Sequence, residues 1–364
     1  MWITSELFSF APITDANTGE VTYQLHLGTK KFPVGDLSFH AHRHFNVPAS
    51  IHLSVHAGRW HVSFNYDDGV VEPSEADTIA WLRLHSADEL KALTVGLDRG
   101  VAVPLAGGDG QQFDFTNIQK QRLKKQAKHK KRWQRKLSKR EKGSKRWIKA
   151  KRKVASHQRY GVDVRRDFAH KTSCALTSDP QYKLFVFEAL KVKNMTASAK
   201  GTVEEPGKNV RQKAGLNRSI LASAWGQVKT YSQYKAKRKG KLCIDVPPHH
   251  SSQECAACGY THKDNRITQS DFVCQRCDNN DNADHNAGKV LAQRGISLLL
   301  SDQFGVKKKK RVAITRNKVG VERAEPMAEM PSTLVETLVR RTDSNILPRM
   351  SLIRETPATR PQGL

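Results

Sequence analysis

No stretch of this 364-residue sequence reaches the run of about 18 apolar residues that a membrane-spanning helix needs. The first residues, MWITSELFSFAPITDANTG, lack a basic segment ahead of a sustained apolar core, so no secretory signal is read and an intracellular, cytoplasmic protein is expected. Acidic residues are scarce: 35 Asp and Glu stand against 62 Lys and Arg, a formal charge of +27. That balance calls for a polyanionic partner, and nucleic acid fits better than a membrane surface. Only six cysteines are present, and in a reducing compartment they point away from disulfides and toward a metal or buried free thiols. Hydrophobic residues reach 38%, and no internal repeat is visible. The length exceeds what one core usually organises, so a main domain with smaller modules is expected.

Residues 51–66, IHLSVHAGRWHVSFNY, alternate apolar and polar on both sides of Ala57-Gly58, with Ile51, Leu53 and Val55 facing Trp60, Val62 and Phe64. This is a hairpin pattern. With Tyr23–Phe45 it predicts a β-rich module over residues 1–90, whose His and Lys side chains give a wet face suited to nucleic acid. ALTVGLDRGVAVPL, residues 92–105, reads as two short strands turning at Asp98-Arg99-Gly100. KLFVF, residues 183–187, reads as a buried strand, Asn217–Ala236 as a helix, and Lys241–Pro247 as another strand.

The composition changes abruptly at Lys120. Of the 34 residues to Lys153, 19 are Lys or Arg and only Glu141 is acidic, with a break at Gly143-Ser144. Two helical arms are predicted, spanning 118–175. Trp147, Ala150, Val154, His157, Gly161, Val164 and Phe168 recur at spacings of three and four along the second. A charge run is commonly just a solvated face. Cations of one sign without counter-charges repel, however, and a phosphate backbone compensates them, with binding that weakens steeply as salt rises. The candidate phosphate contacts are Lys124, Lys125, Lys128, Lys131, Arg132, Arg135 and Lys136 on the first arm, and Lys145, Arg146, Lys149 and Arg152 on the second. Trp133 and Trp147 are candidates for stacking on bases or for core packing. After Gln303 the sequence shows a basic run and no stable periodicity, so residues 301–364 are read as a mobile tail.

Cys255-Ala-Ala-Cys258 and Cys274-Gln-Arg-Cys277, fifteen residues apart, are two pairs that can each give two thiolates to a tetrahedral ion. This is the spacing of a zinc ribbon, here placed at 248–280 and holding one structural zinc. Four sulfurs close the coordination shell, leaving no position for substrate. Both pairs lie in polar, turn-rich sequence, which argues against a redox role, and His249 and His250 are not needed as ligands. Cys174 and Cys243 are expected to be buried thiols.

Three acids sit where a sheet edge could gather them: Asp98 at the end of one apolar strand, Glu188 at the end of another in FVFEAL, and Asp284 opening a helix in DHNAGKVLAQRG. Phosphodiester hydrolysis by two metals needs carboxylates converging on ions about 3.5–4 Å apart. Singly, each acid also reads as a turn residue, a strand-end charge or a helix cap.

The order VGLDRGV, basic helices, RRDFAHK (Arg165–Lys171), FEALKVKNM, SSQECAACG, CQRC and DHNAGKVL resembles the TnpB/OrfB proteins of insertion sequences, relatives of the compact type V CRISPR effectors. The resemblance covers residues 20–292. It implies an α/β fold with a discontinuous ribonuclease H-like (RuvC-like) core over residues 91–300, long basic helices, an inserted zinc ribbon and a small N-terminal β-rich module. It implies a transposon-associated, RNA-guided DNA endonuclease of bacterial or archaeal cells, associated with the nucleoid. Its guide RNA would derive from the transposon end, and a separate transposase would be encoded by the same element. By this resemblance Asp98, Glu188 and Asp284 bind two catalytic Mg²⁺ ions, and Cys255, Cys258, Cys274 and Cys277 bind zinc, while His170 and Lys171 belong to a block of open role.

The chain departs from the family in Ala189 for an acid, Asn282-Ala283-Asp284 for Asp-Arg-Asp, and Val290 for an Asn, though Asn286 is kept. The helical recognition region that interrupts the N-terminal β module is missing. An alternative is therefore a catalytically impaired or truncated relative that binds nucleic acid without cutting. A strand-transfer transposase fits less well, because no Tyr or Ser stands in a recognisable nucleophile motif.

Overall fold

The computed structural model describes residues 1–14, 21–40, 45–56, 58–67, 69–302, 304 and 335–340. Two compact units divide the chain, one of residues 1–70, 141–156 and 323–364 and one of residues 71–140 and 157–322.

The first unit is a sheet of seven strands: β1 (Trp2–Thr4), β2 (Phe8–Thr14), β3 (Val21–Gly28), β4 (Pro33–His40), β5 (Ser50–His56), β6 (Arg59–Phe64) and the strand Val335–Arg340. The expected hairpin is present, with Leu53 opposite Val62 and Val55 opposite Trp60. Val55 and Trp60 are exposed at its tip. The apolar alternation buries Ile3, Phe8, Leu25, Phe39, Ile51, Leu53, Val62 and Phe64 in one core, where Phe10, Tyr23, Phe39, Phe45 and Phe64 pack ring against ring. Among the described residues of 1–70 there is no α-helix.

Val335–Arg340 corrects the reading of a structureless tail, since its backbone pairs with β6 and β4. VETLVR is a short segment that gains its order from two neighbouring strands and not from local pattern. Most of the remaining tail lies outside the described residues.

In the second unit α1 (Glu75–Arg83) and α2 (Ala87–Leu93) correct the β-rich reading of residues 1–90. Their starts are legible afterwards: Ser74 caps Asp77 N, and Ser86 with Glu89 forms a complete capping box. A five-stranded sheet follows, ordered β11-β10-β7-β8-β9, from β7 (Thr94–Asp98), β8 (Leu105–Gly107), β9 (Gln112–Phe113), β10 (Leu184–Glu188) and β11 (Leu242–Val246). β10 runs parallel to both neighbours, while β7, β8 and β9 form an antiparallel meander. β8 begins later than residues 92–105 predicted. Residues 101–104 form a bend closed against Gly100, where a Cβ would lie 2.7 Å from the Val103 carbonyl oxygen.

Helices cover both faces. Basic helix α3 (Asn117–Ser138) and α4 (Lys145–Ser178) are the expected arms, followed by short α5 (Val192–Met195), α6 (Val210–Ala222), α7 (Trp225–Arg238) and α8 (Ala283–Leu300). The single helix expected over Asn217–Ala236 is two, broken at Ser223-Ala224, where Ala224 takes a left-handed φ of 58°. Trp225 then donates its indole N–H to the Gly100 carbonyl at 3.0 Å, fixing α7 to the β7–β8 turn.

On β7 and β10, Val95, Leu97, Phe185 and Phe187 face a core completed by Phe168, Ala169 and Leu176 of α4 and by Val228 and Ala236 of α7. Leu184 and Val186 point the other way, into a core with Leu82 of α1, Leu90 of α2 and Leu291, Ile296 and Leu299 of α8. Burial on both faces explains why KLFVF reads as an unbroken apolar run.

Glycines set how close α8 comes to the sheet. A Cβ on Gly288 would fall 2.4 Å from the Gly108 nitrogen and 3.0 Å from the Gly96 carbonyl oxygen, and one on Gly295 would meet Val186 Cγ2 at 2.3 Å. Gly288 and Gly295 are seven apart, two turns on one helix face. Gly288→Ala therefore has to push backbone from backbone. We expect it to destabilise by about 2–3 kcal/mol despite alanine's better helix propensity. Gly215→Ala on α6, which meets nothing within 4 Å, should stabilise by roughly 0.5–1 kcal/mol. Urea denaturation of the two variants beside the parent measures both, and equal midpoints would refute the packing argument.

Candidate active site

Asp98 and Glu188 are each the next residue after the register pair Leu97 and Phe187 on adjacent parallel strands. Side chains alternate along a strand, so both acids point to the α8 face, opposite Leu97 and Phe187. Asp284 is in the first turn of α8, four residues before Gly288. Asn282 caps that turn, accepting from the backbone N–H of Asp284 at 3.0 Å and of His285 at 3.3 Å. Asp98 feels the other two acids: burial, then the charges on Glu188 and Asp284, raise its carboxyl from its ordinary 3.8 to about 7. Burial also raises Glu188, against the Ser251 hydroxyl and the Arg99 and Arg294 charges, which lower it.

Cations temper this acid cluster. Arg266 Nη2 lies 3.6 Å from Asp284 Oδ1, and its charge lowers Asp98. Buried Arg99 donates to the Glu188 backbone carbonyl. Ser251 Oγ is 3.0 Å from Glu188 Oε1. Sequence reasoning missed Arg266 and Ser251 as members of this site. Arg266 sits in the fifteen-residue span between the cysteine pairs, a stretch with no periodicity to mark it.

Because Asp98 holds its proton to about pH 7 when folded and ionises near 3.8 otherwise, the folded form binds the extra proton between those values. Its contribution therefore turns unfavourable as pH rises through that window, and the whole penalty stands above it. In magnesium-free buffer, Asp98→Asn is expected to melt above the parent at pH 8, with the gap closing by pH 4. A gap independent of pH, read by scanning fluorimetry, would show that Asp98 is not so shifted.

The four cysteine sulfurs lie within 4.8 Å of one another. Cys255 and Cys277 are 3.7 Å apart and Cys258 and Cys274 3.6 Å. A tetrahedral ion with metal–sulfur bonds near 2.3 Å has sulfur–sulfur edges of about 3.8 Å, so the cluster fits one. Two like turns build it. Cys255 N donates to Tyr260 O and Gly259 N to Cys255 O, and Cys274 N to Asn279 O and Asp278 N to Cys274 O. Gly259 and Asp278 take left-handed φ values of 72° and 54° at matching positions. Fully buried Asn265 braces the turns together, donating to Gln253 O and Tyr260 O and accepting from Gln275 N. β12 (Asp271–Val273) and β13 (Asn280–Asn282) pair beneath, around Phe272. Cys174, expected buried, is exposed on α4, and Cys243 is partly buried within β11.

α3 has no buried residue, and its Lys124, Lys125, Lys128, Lys131, Arg132, Arg135 and Lys136 are all exposed, as are Lys145, Arg146, Lys149 and Arg152 of α4. α3 meets α4 through His157 and Gln126 at 2.6 Å and through the stacked rings of His129 and His157. Trp133 and Trp147 are partly buried beneath Lys136 and Lys151.

Two family models match the chain in order. The OrfB_IS605 model, described as "Probable transposase", matches residues 71–199, which hold Asp98 and Glu188. The "Cas12f1-like, TNB domain" model matches residues 225–291, which hold the four cysteines and Asp284. A relative named "Putative RNA-guided DNA endonuclease InsQ", from Escherichia coli (strain K12), is 38% identical over 253 residues, 70% of this chain and 58% of that protein. Residues 71–199 and 225–291 thus match the OrfB/TnpB family in order. A Streptomyces pristinaespiralis protein named "Putative RNA-guided DNA endonuclease" is 28% identical over 66% of this chain and 51% of its own length. The "CRISPR-associated endodeoxyribonuclease Cas12f1" of Sulfoacidibacillus thermotolerans is 36% identical over 71 residues, 20% of this chain and 17% of that one. The chain thus spans little more than half the length of the first two relatives.

The residues that depart from the OrfB/TnpB pattern are built into the fold. Ala189 donates its N–H to Val246 O, Asn282 serves as the α8 cap, and Val290 is fully buried in place of an amide. The RRDFAHK block packs α4 on α7: His170 stacks on Tyr231, its carbonyl accepts from Lys235 at 2.8 Å, and Lys171 pairs with Asp167 at 2.9 Å. No described helix is long and apolar enough to cross a membrane.

Proposed function

We propose that this chain is a transposon-associated RNA-guided DNA endonuclease whose cutting site is the Asp98, Glu188 and Asp284 cluster on a ribonuclease H-like sheet. The observation that carries the reading is the placement of three acids at the ends of two adjacent parallel strands and the start of one helix, where the Asp98 carboxyl feels the charges of the other two. The meander of three antiparallel strands flanked by two parallel ones is the topology expected of such a core. Two Mg²⁺ ions held there would activate the attacking water and steady the leaving oxygen.

The chain's own residues fit the task. Asp98 is raised by burial and then by the charges of Glu188 and Asp284, and a divalent ion would relieve that repulsion in the same place. Arg266 beside Asp284 offers a cation to a scissile phosphate. Cys255, Cys258, Cys274 and Cys277 would hold one zinc ion that stabilises the ribbon and has no open position for chemistry. The exposed cations of α3 and α4 would track phosphates of guide RNA and target DNA, contacts that read backbone shape and leave sequence choice to base pairing.

The test is purification of the full chain with its flanking element transcribed, sequencing of the bound RNA, and assay of Mg²⁺-dependent cutting of a matching DNA. Guide-dependent cutting supports the reading. Bound RNA with no cutting promotes a binding-only relative, and the absence of both removes the proposal.

A further inference from the structure

We propose that the cysteine ribbon is the scaffold of the nuclease site, with Asn286 as the positioning residue for Asp284 and Ser251 as that for Glu188. The proposal rests on the reading that the three acids bind Mg²⁺.

Asn286 is fully buried, and both ends of its amide are spent on one stretch of ribbon backbone. Nδ2 donates to Glu254 O at 2.7 Å and Oδ1 accepts from Ala256 N at 3.0 Å. Those groups flank Cys255, the first cysteine of the cluster and itself fully buried. Asp284 is two residues before Asn286 and directly after Ala283, which is buried in the ribbon core with Cys255, Phe272 and Cys274 and donates its N–H to Ser270 O at 2.8 Å. The helix turn carrying Asp284 is therefore built into the ribbon on both sides. Two turns further along, Gln293 donates to Ala256 O at 2.8 Å, and Arg294 pairs with the Glu254 carboxylate.

Glu188 is held from the same module. Ser251, four residues before Cys255 and 4% exposed, places its hydroxyl 3.0 Å from Glu188 Oε1 and 3.1 Å from Pro248 O. Its single proton fixes one carboxylate rotamer at a time. Without the ion, the two turns are left to the Asn265 hydrogen bonds and the small core around Phe272. The buried Asn286 amide would then lose partners that cost about 1–3 kcal/mol to leave unmade. Mg²⁺ affinity therefore depends on whether the ribbon is loaded, and outer partners of this kind are worth about 10- to 100-fold in metal affinity.

The experiment is calorimetric titration of Mg²⁺ into the full chain, zinc content measured in the same samples, for the parent, Ser251→Ala, Ser251→Thr, Asn286→Asp and Asp98→Ala. Ser251→Ala is expected to weaken Mg²⁺ binding about 10-fold or more with zinc content and melting temperature unchanged, and Ser251→Thr to restore it. Asn286→Asp, which cannot donate to Glu254 O, should weaken it further. Should Asn286→Asp fail to fold, Ser251→Ala decides. Mg²⁺ binding within about twofold of the parent in Ser251→Ala, alongside its loss in Asp98→Ala, overturns the scaffold and leaves the three-acid reading standing. Equal binding by the parent and Asp98→Ala sinks that reading, and the scaffold with it.

Discussion

Asp98→Ala is expected to reduce Mg²⁺-dependent DNA cleavage by on the order of 10³-fold or more, a loss of about 4 kcal/mol of transition-state stabilisation. The variant should keep its fold, because it removes a carboxyl whose pKa of about 7 already records an unfavourable environment. It should also keep its RNA, since the exposed cations proposed to bind it lie on α3 and α4. Acids that act as one unit lose activity together, so a double Asp98→Ala, Asp284→Ala variant should be scarcely worse than either single change. Cutting that survives in Asp98→Ala at the parental rate would place the chemistry elsewhere.

Removing the ion from the ribbon is the other large perturbation. Structural zinc contributes on the order of 10–16 kcal/mol of apparent binding energy in small zinc modules. Here the module has one small core, of Cys255, Phe272, Cys274 and Ala283, to stand on without it. A strong chelator, or Cys274→Ser, is expected to melt residues 248–280 while the sheet of the second unit persists, giving a two-step transition where the parent gives one. Hydrogen exchange resolved by segment would show fast exchange in β12 and β13 and retained protection in β10. Uniform protection after zinc is gone would mean the ribbon stands without metal.

The cysteine cluster, and the placement of the three candidate acids at two strand ends and a helix start, were legible because each sits in a short block with its own chemistry. The acids alone were ambiguous, and only the order of blocks raised them above turn and cap residues. The core strand Leu184–Glu188 announced itself by being apolar on both faces. What escaped notice depended on distant partners. Nothing local marks Arg266, Ser251 or Asn265, whose roles come from contacts made in the folded chain. The α6–α7 break turns on one left-handed alanine, a conformation sequence does not advertise. α1 and α2 do carry a local signal, the capping serines Ser74 and Ser86.

The ladder between β7 and β10 gives the acids unequal freedom. Asp98 and Glu188 ride on neighbouring strands about 4.8 Å apart and cannot separate unless main-chain hydrogen bonds unzip. Asp284 rides on a helix end and has no such tether to the sheet. Any displacement of Asp284 from the other two must therefore carry the start of α8 and the ribbon it is built into along with it.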